Sequence, residues 1–85
     1  MRVIEIASFG SADCLAVGNR PVPVPEAHEL LVKGSAVGLN RADVMQRLGR
    51  YPPPPGASDL LGLEVSGIVE DVGEAVKLWV TGDRV

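Results

Sequence analysis

The side chains able to do chemistry are few in this sequence and widely spaced. The single histidine, His28, follows Pro25-Glu26-Ala27, where a turn leads into a strand. It reads either as a solvated turn residue or as a lone ligand or acid/base. The single cysteine, Cys14, lies in an apolar run and reads as a small buried hydrophobe. One Cys and one His so far apart give no metal-ligand spacing within the chain. Ser35, Ser58 and Ser66 have no nucleophile elbow around them, and only His28 could serve them as base. Glu70 and Asp71 are adjacent in a strand-like segment, so their carboxylates point to opposite faces and cannot work as a pair. Glu64, inside LLGLEVSGIV, is either on a wet face or deliberately paired in the interior. The glycines, such as Gly34, Gly38 and Gly49, do not form the Gly-x-Gly-x-x-Gly turn that cradles a dinucleotide.

What remains is residues 40–56, NRADVMQRLGRYPPPPG, which carry an amide at one end and the only tyrosine near the other. Pro52 forces Tyr51 into extended backbone and so fixes where its ring projects. The prolines also reduce the entropy lost in ordering the loop. The segment therefore reads either as a surface linker or, more plausibly, as a loop wall of a pocket. Asn40 reads as a helix cap. Pro52 and Pro55 also satisfy P-x-x-P, a weak docking pattern.

These residues need a scaffold, and the composition limits its size. An 85-residue chain makes one small domain or part of a larger one. A chain this short buries only about 60–65 % of its unfolded surface, so one modest core is expected. Aromatics are limited to Phe9, Tyr51 and Trp79, which leaves the core to aliphatic residues. The net charge is −3 and the basic residues are scattered, which argues against a nucleic-acid partner. No apolar stretch approaches a membrane span and the N-terminus lacks a signal-peptide core. With one cysteine, a reducing, cytoplasmic setting is the expectation.

Residues 2–6 alternate as a strand, and 14–17 form a second short run closed by Gly18-Asn19. In residues 19–26 Pro21, Pro23 and Pro25 alternate, which places this piece at a sheet edge or outside it. Residues 29–39 are the longest β-like segment, with bends or bulges expected at Gly34 and Gly38. Residues 63–72 form another, followed by a turn at Gly73-Glu74, and 81–85 read as a turn leading into a strand. Only 40–48 look helical: Asn40 as N-cap, Asp43 three positions on, Val44, Met45 and Leu48 sharing one face, and Gly49 as C-terminal stop. Short, bent strands with one short helix favour a small, partly open β-barrel.

Across its whole length the chain resembles the N-terminal GroES-like catalytic domain of the medium-chain dehydrogenase/reductase superfamily, and within it the zinc-free NADPH:quinone oxidoreductases. The likeness rests on Asn-Arg-Ala-Asp (40–43), Tyr-Pro-Pro-Pro-Pro-Gly (51–56), Gly-Leu-Glu-x-Ser-Gly (62–67) and the Val-Gly-Glu…Gly-Asp-Arg-Val pattern up to residue 85. Zinc-dependent relatives carry a cysteine ligand where this chain has Asn40 and a histidine ligand where it has Leu63. An amide and an aliphatic chain cannot replace thiolate and imidazole, so the resemblance implies no zinc.

The implied chemistry is hydride transfer from NADPH to a quinone or related electron-poor carbonyl, in a cytoplasmic, homodimeric enzyme. Tyr51 would donate its hydroxyl to the acceptor and stand beside the nicotinamide. Asn40 would offer its amide to the cofactor or substrate, and Leu63 would line the place that zinc vacates. Glu64 would be kept for a structural ion pair. The resemblance also implies that residues 1–85 are an incomplete part of a larger α/β oxidoreductase whose Rossmann domain lies outside this chain, so this piece alone is expected to be inactive. A stand-alone GroES-like barrel serving as a binding or assembly module is the alternative, on fold analogy.

Overall fold

The computed structural model describes residues 1–85, which fold as two compact units, one of residues 1–21 with 39–63 and the other of residues 22–38 with 64–85. In the first unit, strand β1 (Arg2–Ile6) pairs antiparallel with β2 (Leu15–Asn19), in register from Arg2 opposite Asn19 to Ile6 opposite Leu15. The intervening segment ends in a single 3-10 turn, Ala12–Cys14. Cys14 therefore closes a turn instead of opening the strand, and it is only half-buried. Gly18 and Asn19 extend β2, because the ladder to β1 runs through both.

Helix α1 (Arg41–Arg47) follows Asn40, which has the extended backbone of an N-cap (φ −128°, ψ 158°). The Asn40 N–H donates to Asp43 Oδ2 at 2.9 Å, which fixes the chain's entry into the helix. At the far end Gly49 takes φ +78°, and a Cβ there would lie 2.8 Å from Phe9 Cγ. Glycine is thus required both by the left-handed turn and by the packing. The helix differs from expectation in what it buries. Val44, Met45 and Leu48 are half-buried, whereas the buried positions are Asp43 and Gln46. Gln46 is inside because it makes hydrogen bonds there. Asp43 Oδ1 is buried with no hydrogen-bond partner.

In the second unit β3 (Leu30–Val37) pairs antiparallel with β4 (Val65–Val72), shorter than the expected segments by one or two residues at some ends. The register slips between Leu31 and Val32 and again between Gly34 and Ala36, where Gly34 signalled a bend. Residues 81–85 form an isolated bridge, Ile68 opposite Arg84, in place of a strand. Gly67 and Val85 exchange two N–H···O bonds of 3.0 Å, and Val69 N–H donates to Asp83 O at 2.8 Å. With β3 on one side and this bridge on the other, Val69 is fully buried. Residues 20–26 form no strand, as their prolines require.

The architecture is mainly β with one short helix, as expected, and its two two-stranded sheets do not close into a barrel. No helix is long and apolar enough to cross a membrane.

Gly34 and Gly67 face each other across the β3–β4 ladder, but they tolerate substitution differently. A Cβ on Gly67 would run into the Lys33 carbonyl, whereas one on Gly34 would meet Val65 Cγ2 at 3.3 Å, a side-chain atom that can give way. Gly67→Ala is therefore expected to destabilise the chain by about 1–3 kcal/mol. Gly34→Ala should cost clearly less, as read from urea denaturation midpoints.

Candidate functional site

Tyr51 lies in the segment from residue 48 to residue 64, which contains neither strand nor helix. Its beginning is fixed by the helix end: Gly49 N–H donates to Gln46 O at 3.0 Å and Arg50 N–H to Met45 O at 2.8 Å. Its further part is held by side chains. Gln46 Nε2, reaching out of α1, donates to the carbonyls of Asp59 (3.0 Å) and Leu60 (3.4 Å). Arg20, just past β2, donates from both η nitrogens to the two oxygens of Asp59, at 2.6 and 3.1 Å. Its Nε donates to Glu5 Oε1 on β1 at 2.9 Å. The helix end is tied down separately, by Arg47 Nε donating to the Gly10 carbonyl at 3.0 Å.

Between these anchors lies a cavity of about 360 Å³. Ile6, Phe9, Tyr51 and Pro52 give it apolar walls, and Arg20 and Gln46 are among its polar ones. A neighbouring cavity of about 250 Å³ is lined by Tyr51, Gln46, Pro53 and Leu63. Tyr51 thus borders both, with 45 % of its surface accessible. The proline run is part of the wall, since Pro52 and Pro53 line the larger cavity.

Of the residues singled out from sequence, Tyr51 and Leu63 come onto one cavity, while Asn40 caps α1 at the end opposite to Tyr51. Leu63 is 63 % exposed, an apolar surface open to contact. Glu64 is exposed, on the wet side of the two readings open to it, and its carboxylate fills the space that a side chain on Gly38 would need. His28 is exposed as well. No three His, Cys, Asp or Glu side chains lie close enough together to share a metal ion.

The Glu5–Arg20–Asp59 cluster was not legible in the sequence, where Arg20 is one of several scattered cations. A signal exists once the β1–β2 register is known. Glu5 stands opposite Ala16 and diagonal to Gly18, so the residues facing it are the smallest available. A Cβ on Gly18 would lie 2.6 Å from Glu5 Cδ, so glycine keeps room for the carboxylate.

Residues 26–85 match the family model described as the alcohol dehydrogenase GroES-like domain. The chain belongs to that family. As a GroES-like domain chain, it is 40 % identical over 86 residues to a quinone oxidoreductase of Lama guanicoe, covering all of this chain and 26 % of the relative. The structure of an Escherichia coli quinone oxidoreductase complexed with NADPH superposes with a TM-score of 0.87 at 37 % identity, over 99 % of this chain and 26 % of that one. The human synaptic vesicle membrane protein VAT-1 homolog-like protein also superposes with a TM-score of 0.87, at 39 % identity, over 99 % of this chain and 27 % of that one. The GroES-like chain spans about a quarter of the length of the quinone oxidoreductases it matches.

Hydrogen bonding to Arg20 holds the Asp59 carboxyl below its ordinary value, and the same bonds raise the Arg20 guanidinium. With the folded value below the unfolded one, the pairing contributes fully above the unfolded titration and is lost as pH falls through the folded value. A carbon-detected NMR titration should find Asp59 ionising below the ordinary aspartate value of 3.8, and returning toward it in Arg20→Gln.

Proposed function

We propose that this chain is the N-terminal part of the catalytic domain of an NADPH-dependent quinone oxidoreductase that works without catalytic zinc. The cofactor would be held mainly by a Rossmann domain outside these residues. The observation that carries the reading is the placement of Tyr51, a phenol on a proline-stiffened segment bordering two cavities, one of which it shares with Leu63. The quinone oxidoreductases matched along the whole chain, one of them with NADPH bound, support the same reaction class.

The donor set supports the zinc-free part of the reading. The positions that hold thiolate and imidazole in zinc-dependent relatives carry the Asn40 amide and the Leu63 side chain. Neither is a ligand that zinc selects in such sites.

Bound NADPH supplies a hydride, and the protein's part is to bind, orient and polarise. Tyr51 has the donor that an acceptor carbonyl needs, since the displaced π electrons build negative charge on that oxygen as the hydride bonds elsewhere on the acceptor. Asn40 has both a donor and an acceptor on its amide, which suits a carboxamide partner such as that of the nicotinamide. Leu63 offers an apolar surface for an uncharged ring and excludes water from beside it. The acceptor is proposed to be a small, planar quinone or related electron-poor carbonyl.

In the protein carrying both domains, Tyr51→Phe is expected to lower kcat for NADPH-driven quinone reduction about 100-fold, the ~2.7 kcal/mol of one hydrogen bond to the developing oxyanion. Steady-state assays following NADPH absorbance read this directly. Unchanged kcat would remove Tyr51 from the chemistry.

A further inference from the structure

We propose that Arg20 is the positioning residue of the Tyr51 wall: its guanidinium clasps Asp59, in the segment that carries Tyr51, to Glu5 on the β1–β2 hairpin. The segment from 48 to 64 has no ladder to define its course, so the side-chain anchors at Asp59 and Leu60 decide where it lies. Two anchors converge there, Gln46 on the main chain and Arg20 on the carboxylate. Arg20 uses Nε toward Glu5 and both η nitrogens toward Asp59, a planar three-bond fork that lysine cannot reproduce.

Several features show that the clasp is built into the hairpin. Gly18 leaves the space that the Glu5 carboxylate occupies. Met1 and Arg20 are joined at the end of the β1–β2 ladder, where the amino terminus donates to the Arg20 carbonyl at 2.7 Å. The guanidinium, Asp59 and Tyr51 all border the same cavity, so the clasp and the ring face one space. Arg20 meets two carboxylates there, which leaves the cluster with a net negative charge and makes it a poor anchor for an anionic ligand. Its role is mechanical: it holds the far end of the Tyr51 segment while the prolines stiffen the near end.

The functional consequence rests on Tyr51 facing the acceptor, but the positioning itself is measurable without cofactor or acceptor. In the protein carrying both domains, meta-fluorotyrosine labelling, with the Tyr51 resonance assigned by its disappearance in Tyr51→Phe, gives a fluorine signal that reports the wall. Arg20→Gln and Asp59→Asn should each shift that resonance toward the free amino acid. Arg20→Lys should produce a partial shift, and the double variant no more than either single one, because all remove the same contact. The β3–β4 amide spectrum should stay unchanged throughout. An unmoved fluorine resonance in both single variants would overturn the proposal. So would loss of the β3–β4 amide dispersion together with the tyrosine shift, since the clasp would then serve the fold as a whole. Because no NADPH or quinone enters the measurement, failure here leaves the hydride-transfer reading standing, and failure of that reading leaves the clasp standing.

Discussion

From Leu48 to Glu64 the backbone makes neither helix nor ladder, so beyond its start, which is bonded to the helix end, its course depends on side chains that reach across to it. The Arg20 guanidinium, shared between Glu5 and Asp59, is the central one. Exposed ion pairs are often energetically minor, but a bidentate pair within a network sets geometry as well as energy. Here geometry is what matters. Without the Asp59 carboxylate fixed, the Tyr51 ring would be held by the helix end, the stiffness of its prolines and the Gln46 bonds to the loop main chain.

The rest of the first unit is arranged around that requirement. The β1–β2 ladder fixes Glu5 and carries the chain to Arg20, and Gly18 keeps the space between them clear. Helix α1 is too short to be stable alone and is set by its ends: Asp43 bonds the backbone at Asn40, and Gly49 turns the chain where Phe9 leaves no room for a Cβ. Burying Gln46 would be costly for an unpaired amide, but its bonds to two loop carbonyls satisfy it. One buried polar side chain thus joins the helix to the segment that forms the cavity wall.

Much of this order could be read from local sequence. The alternation of residues 2–6, the Asn40 cap, the Gly49 stop and the bend at Gly34 each follow from rules acting within a few residues. Tyr51 stood out because a lone phenol before four prolines has a restricted backbone. The clasp could not be read this way, because positions 5, 20 and 59 become neighbours only through tertiary structure. The β-like run at 81–85 made a bridge instead of a strand for a related reason: its pairing depends on how β4 presents Gly67 and Val69. The apolar face expected of α1 proved only half-buried, because hydrophobic periodicity does not reveal that a glutamine is needed inside.

Membership of the GroES-like family sets the architecture, and the side chains at two positions set the proposed chemistry. Under the proposed reading, an amide and an aliphatic group stand where zinc-dependent relatives hold an ion, and the acceptor would be one that hydride reduces with only hydrogen-bond assistance. Metal analysis of the protein carrying both domains, paired with its quinone reduction before and after exhaustive chelation, tests this most directly. The account predicts substoichiometric metal and undiminished turnover. Stoichiometric zinc whose removal abolishes turnover, and whose return restores it, would contradict it.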